Sequence, residues 1–209
     1  MKKLFFITLL AVFSIFFMYA SGDGPGTWTQ SLSSAGQIWG IAVAPSSPQT
    51  IYAASNSTGM WKSTNSGANW VQINTGLSNL ILQCVAVSPT NANVVMCGST
   101  NTGTNPGVYR SSDGGSNWTR VVTGITETNI NIQALAIDPV NPNTAYCTLF
   151  DGTTNSPNGL YKTTNGGTLW VPITTGIGTI KNFLAIAVNP LNANVVYAGT
   201  SFDPLTSTG

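Results

Sequence analysis

The chain contains no histidine, so proton transfer near neutral pH falls to carboxylates, lysines, tyrosines or thiols. Its acids are Asp23, Asp113, Glu127, Asp138, Asp151 and Asp203. Two carboxylates flanking a glycosidic bond suffice for acid–base hydrolysis, close together for retention of configuration and farther apart for inversion. Glu127, in "ITETNIN", and Asp151, in "LFDGTTNSPN", are the candidate pair. Both sit among ordinary polar loop residues, so the sequence marks no catalytic set around them. Other chemistries lack their parts. There is no Ser–His pair and no phosphate-cradling glycine loop. Cys84, Cys97 and Cys147 are not spaced as metal ligands, and neither a metal nor a cofactor is expected.

The residues that recur are of another kind. "GVYRSSDGGSNW" at 107–118 is echoed by "GMWKSTNSGANW" at 59–70 and "GLYKTTNGGTLW" at 159–170. The closing residues Trp70, Trp118 and Trp170 are 48 and 52 apart, and Trp28 in "GTWTQ" lies 42 before Trp70. A second phrase follows each Trp: "GIAVAP", "CVAVSP", "ALAIDP" and "AIAVNP", ending at Pro45, Pro89, Pro139 and Pro190. A third comes next: "TIYAAS", "NVVMCGS", "NTAYCTL" and "NVVYAGT". Three phrases in fixed order at a period of roughly 40 to 50 residues describe four-stranded propeller blades. Strand A is the "CVAVS" type, an almost continuous apolar run for a strand covered on both faces. Its Pro ends it, because Pro cannot donate to the ladder. Strand B is "VVMCGS", strand C is "GVYRSS", and strand D begins at the Trp. Linkers are rich in Gly, Thr and Asn. The fold class is therefore all-β: a propeller of four-stranded antiparallel blades, about four of them, with repeats at about 28–70, 71–118, 119–170 and an incomplete 171–209.

The spacing Ser-x-Asp-x-Gly-x-x-Trp resembles the Asp-box, or BNR repeat, of sialidase-like propellers. Ser111, Asp113, Gly115 and Trp118 match it in full. Ser63, Asn65, Gly67 and Trp70 match with Asn for Asp, and Thr163, Asn165, Gly167 and Trp170 with two conservative changes. The physics is that of a turn. Asp or Asn bonds backbone N–H groups, Gly supplies a positive φ, and the Trp buries a large ring. The resemblance implies that this hairpin lies on the side of each blade away from the ligand face, so Asp113 is expected to be structural. It places ligands at the loops joining B to C and D to A, where Glu127, Asp151, Asp203 and Lys181 are the titratable groups. A sialidase clamps its substrate with three arginines; only Arg110 and Arg120 exist here, and Arg110 is a repeat position aligned with Lys62 and Lys162. Xyloglucan-hydrolysing propellers have similar repeats and two catalytic carboxylates. Photosystem assembly-factor propellers use a basic stripe that this chain lacks. Sortilin-type propellers share no specific signal.

Lys2, Lys3 and the apolar run 4–19, followed by Ala20, Ser21 and Gly22, read as a secretory signal peptide of residues 1–22. The remaining chain, 23–209, carries five basic groups against six acids, which gives nucleic acid nothing to bind. No membrane span is expected after cleavage. Cys84 and Cys97 fall on neighbouring strands, where a disulfide outside the cytoplasm is one alternative. They also occupy positions held elsewhere by Gly40, Ala134, Ala185, Ala53 and Ala198, which favours buried free thiols. Gly59, Gly107 and Gly159 open strand C, and Gly209 falls in the same slot, so the chain reads as the N-terminal portion of a six- to eight-bladed or double propeller. Such a portion would expose the flanks of its end blades. The functional expectation is a secreted module that binds or scaffolds an extracellular glycan or protein. The alternative is the front part of an extracellular glycoside hydrolase.

Overall fold

The computed structural model describes residues 17–20, 28–126, 129–150, 159–177 and 182–200. Among them every helix or strand is a strand. Three antiparallel sheets have four strands each, in sequence order. The first is β3 (Ile38–Val43), β4 (Ile51–Ser55), β5 (Gly59–Ser63) and β6 (Val71–Gln72). The second is β7 (Leu82–Val87), β8 (Val95–Ser99), β9 (Val108–Ser111) and β10 (Thr119–Arg120). The third is β11 (Ile132–Ile137), β12 (Ala145–Leu149), β13 (Leu160–Thr163) and β14 (Val171–Pro172). Two sheets have two strands: β15 (Phe183–Val188) with β16 (Val196–Thr200), and β1 (Phe17–Ala20) with β2 (Trp28–Leu32). Each four-stranded sheet is a meander in the order A, B, C, D, and the whole is a partial β-propeller. β1 overlaps the segment read as a signal peptide; residues 1–16 and 21–22 lie outside the described residues.

The sheets begin at strand A, because each D strand pairs back onto C across the Trp-bearing turn. The Trp itself stands one residue before strand D instead of opening it. Its N–H is taken up across the blade boundary: Trp118 donates to Thr75 O (2.9 Å) and Trp170 to Thr123 O (2.8 Å). That cross-blade bond replaces a ladder bond at this position.

The two faces of each A strand serve different neighbours. Ala42 on β3, with Tyr52, Ala54 and Met60, packs against Val85, Val87, Cys97, Tyr109 and Trp118 of the second blade. One blade on, Cys84, Ala86, Met96 and Val108 pack against Leu135, Ile137, Cys147, Tyr161 and Trp170. Crowding at the inner strands is direct. A Cβ on Gly40 would stand 3.0 Å from the Cα of Cys84, which is why small residues recur at this position. The cores thus lie between sheets, and each is shared by two consecutive repeats.

All four A strands carry a β-bulge at their first turn, with Trp39, Gln83, Gln133 and Leu184 as the extra residue. A bulge adds twist and re-aims the side chain at that point. The thiols follow from the same register. Cys84 pairs with Gly98, and Cys97 with Val85, one residue out of step. The two sulfurs therefore lie on opposite faces of the sheet and do not face each other as the sequence alternative required. None of the three cysteines is in a disulfide. Burial pushes the Cys84 thiol up to about 12 and that of Cys97 well above its ordinary value, so neither is a reactive thiolate near neutral pH.

Candidate functional site

The strand order puts two kinds of connection at opposite ends of the blades. The A–B loops and the C–D turns share one end, here called lower. The B–C and D–A loops share the other, the upper end.

At the lower end the polar residues bond to one another. Ser111 Oγ donates to Asp113 Oδ1 (2.8 Å) and accepts the Gly115 N–H (2.8 Å). Asp113 Oδ1 accepts the Asn117 N–H (2.9 Å), and Oδ2 accepts its side-chain amide (2.8 Å). These bonds to Asn117, with the one from Ser111, hold the Asp113 carboxyl down at about 2. Ser63 with Asn65, and Thr163 with Asn165, repeat the pattern at 3.0 and 2.9 Å. Gly67, Gly115 and Gly167 have φ of 86, 89 and 88°. The indole N–H of Trp118 reaches Ile73 O (2.8 Å), and that of Trp170 reaches Val121 O (2.9 Å), both on the preceding blade. Lys62 Nζ donates to Gly114 O on the next blade (2.9 Å) and lies over the Tyr52 ring at 5.5 Å. Burial lowers the Lys62 pKa, opposed by Asp113, and raises Tyr52 to about 12. Arg110 Nη2 bonds Asn143 across the next boundary (3.4 Å). Asp138, also at this end, accepts the N–H groups of Val140 and Asn141 at 2.8 and 2.9 Å, which is Asx-turn chemistry. Asp113, Asp138 and Lys62 are thus engaged within the protein, whereas Arg110, bonded through Nη2, leaves its Nε buried without a partner.

The upper end differs. Glu127, Asp151, Lys181 and Asp203 lie outside the described residues. The described part of the B–C and D–A loops carries amides and hydroxyls and no acid or base. Buried Asn79 donates to Thr100 O (3.0 Å) and accepts the Ile81 N–H (2.9 Å). Thr104 Oγ1 donates to Ser78 O (2.5 Å), and Tyr109 donates its phenol to Asn105 O (2.6 Å). Arg120 clamps the same loop from β10, giving Nη2–H to Pro106 O at 2.6 Å. Asn101 bonds Asn129 across the blade boundary. The bulge residues Gln83 and Gln133 of adjacent A strands also bond, amide to amide, at 3.4 Å. Trp39, the bulge residue of the first blade, is 44 % exposed. Three buried polar atoms near this end, Asn131 Oδ1, Thr148 Oγ1 and Asn182 Oδ1, have no partner among the described residues. Unpaired buried acceptors are costly and rare, and they mark where a donor from outside would be accepted.

Sequence reading pointed to the loop acids on this face. It did not single out Gln83, Gln133 or Trp39. Their signal was the shared position at the start of the "GIAVAP"-type phrase, where a large or amide side chain replaces the small residues around it.

No protein-family model matches the chain, and no curated protein matches it. Solved structures do. One is an ancestral GH74 enzyme, 26 % identical with a TM-score of 0.64, over 79 % of this chain and 22 % of that one. A second is the GH74 enzyme of Niastella koreensis, 22 % identical, TM-score 0.63, over 82 % and 30 %. A third is YCF48 from Cyanidioschyzon merolae, 16 % identical, TM-score 0.53, over 76 % and 49 %. The chain spans less than a third of the length of either GH74 structure. These likenesses and the four-stranded sheets agree on a β-propeller fold.

Proposed function

We propose that the chain is a secreted propeller segment of the Asp-box (BNR) kind whose upper face binds a neutral extracellular glycan. The observation that carries this reading is the contrast between the two ends. Most polar groups at the lower end are taken up in turns and blade-to-blade clips, Arg110 Nε being buried there without a partner. The upper end presents the Gln83–Gln133 amide pair, the half-exposed Trp39 and three unpartnered buried acceptors. Amides supply both donors and acceptors to sugar hydroxyls, and an indole face covers the apolar side of a sugar ring. The described charge at this end, Arg120, is taken up by Asn105 O and Pro106 O, and the amides and hydroxyls around it suit an uncharged polymer better than an acidic one. The 26 % identity to an ancestral GH74 enzyme favours a glycan over a protein as ligand.

That same likeness favours a second reading, in which the segment belongs to a glycan-hydrolysing propeller with Glu127 and Asp151 as acid and base. In the sequence Glu127 falls between β10 and β11 and Asp151 between β12 and β13, the D–A and B–C connections. One experiment serves both readings. The chain is run in affinity electrophoresis through gels containing xyloglucan, other neutral β-glucans, or a polyuronate, and the same polymers are assayed for release of reducing ends. Retardation by a neutral glucan without hydrolysis supports the binding module. Hydrolysis lost in Glu127→Gln and Asp151→Asn supports the enzyme. Retardation by the polyuronate alone, or by none of the polymers, contradicts the proposal.

A further inference from the structure

The segment that enters the third blade carries amides at alternate positions, Asn129, Asn131 and Gln133, in "TNINIQ". In strand register the equivalents are Ala35, Gln37 and Trp39 on the first blade, and Asn79, Ile81 and Gln83 on the second. The two outer amides of the third blade are bridged to the second. Gln133 Oε1 accepts Gln83 Nε2–H (3.4 Å), and Asn129 Oδ1 accepts Asn101 Nδ2–H. Between them in the chain stands Asn131, whose Oδ1 is buried without a partner.

The repeat explains why that acceptor is left over. On the first blade Gln37 Oε1 takes the side-chain N–H of Asn56 (2.7 Å), and the two backbones are joined by Asn56 N–H to Gln37 O (3.0 Å). The third blade keeps the backbone bond, Phe150 N–H to Asn131 O (3.0 Å), but Phe150 has no side-chain donor. Ile81, the second blade's residue at this position, has none either. Thr148, fully buried on β12, also has an unpartnered hydroxyl.

Asn101 is held in place from several sides. The neck of its loop is closed by Ser99 N–H to Gly107 O (3.0 Å). Asn79 anchors Thr100 O, and a Cβ on Gly103 would stand 2.4 Å from Asn79 Oδ1. Arg120 holds the far arm at Pro106 O. Asn101 and Thr102 themselves are exposed. A loop fixed before a ligand arrives spares the cost of ordering it on binding.

We propose that the boundary between the second and third blades is an extended subsite for two or more consecutive rings of a neutral oligosaccharide, with a sugar hydroxyl donating to Asn131 Oδ1 between the two amide bridges. This rests on the glycan reading above and adds a place and a length to it. On the third blade the bridges stand four residues apart, which in extended chain is about 13 Å and exceeds one sugar ring. A bridge uses only some of the donor and acceptor positions of an amide. Arg120 is a positioning residue, acting through the loop that carries Asn101.

The test is calorimetric titration of glucose, cellobiose, cellotetraose and a xyloglucan oligosaccharide into wild type, Asn101→Ala and Asn131→Ile, with thermal unfolding of each. Wild-type affinity should rise steeply from glucose to the longer sugars, and Asn101→Ala should flatten that rise. Asn131→Ile should bind the longer sugars about tenfold more weakly. It should unfold no lower than wild type, because it removes a buried unpaired acceptor and Ile81 already fills this position on the second blade. A merely structural Asn131 would instead lose stability and keep its affinity. Glucose bound as tightly as cellotetraose, or wild-type affinities in both variants, overturns this inference and leaves the glycan reading standing. Binding of none of the sugars by wild type overturns both.

Discussion

Asp113 differs from Asn65 and Asn165 only in charge, and all three accept the backbone N–H four residues on. The carboxyl is held at about 2, from an ordinary value of 3.8, by Asn117 and Ser111. A carboxylate depressed on folding adds stability that is complete above its unfolded value and is lost as pH falls through the folded one. Urea unfolding of wild type and Asp113→Asn should therefore show a gap above about pH 4 that closes by about pH 2. A gap that stays constant over that range contradicts the assignment. Trp118 is the strongest single packing residue of its turn, nearly buried and bonded to Ile73 O. Trp118→Ala should cost about 3–5 kcal/mol in the same assay.

The strand-to-strand links give a sharper comparison at the level of elements. Gly76 has φ of 90°, and a Cβ there would come within 2.1 Å of Trp118 O. Gly176 has φ of 81° with open space around it. Gly76→Ala combines backbone strain with a clash and should cost more than about 2 kcal/mol. Gly176→Ala carries the strain alone, about 1 kcal/mol. Equal costs from chemical denaturation would mean that the blade-to-blade contact at Gly76 carries no energy. The turn chemistry was legible in the sequence, because Ser, Asp or Asn, Gly and Trp act within eight residues of one another. The strand phrases were legible because burial between blades leaves apolar runs ended by Pro45, Pro89, Pro139 and Pro190. The bulges at Trp39, Gln83, Gln133 and Leu184 were not, since register depends on the partner strand. The same one-residue offset separates Cys84 from Cys97. The candidate acids Glu127 and Asp151 were legible only as loop carboxylates, because no local pattern fixes a long loop on a propeller rim.

Over the whole molecule, each core lies between two sheets, so stability is distributed along the repeat and the ends are least supported. Amide hydrogen exchange should be slowest in β7–β9 and β11–β13, which have neighbours on both sides, and fastest in β15–β16. Uniform protection across the described sheets of the isolated chain would contradict this gradient. The proposed function gives the upper end to the ligand, because turns and blade-to-blade clips occupy most of the lower one. The measurement that tests this division most directly is calorimetric titration of a xyloglucan oligosaccharide into wild type, Gln83→Ala/Gln133→Ala and Lys62→Ala. The account predicts binding to wild type and to Lys62→Ala, and at least about a tenfold loss in the glutamine variant. Binding that survives loss of both glutamines while Lys62→Ala abolishes it would place the ligand at the lower end and contradict the account.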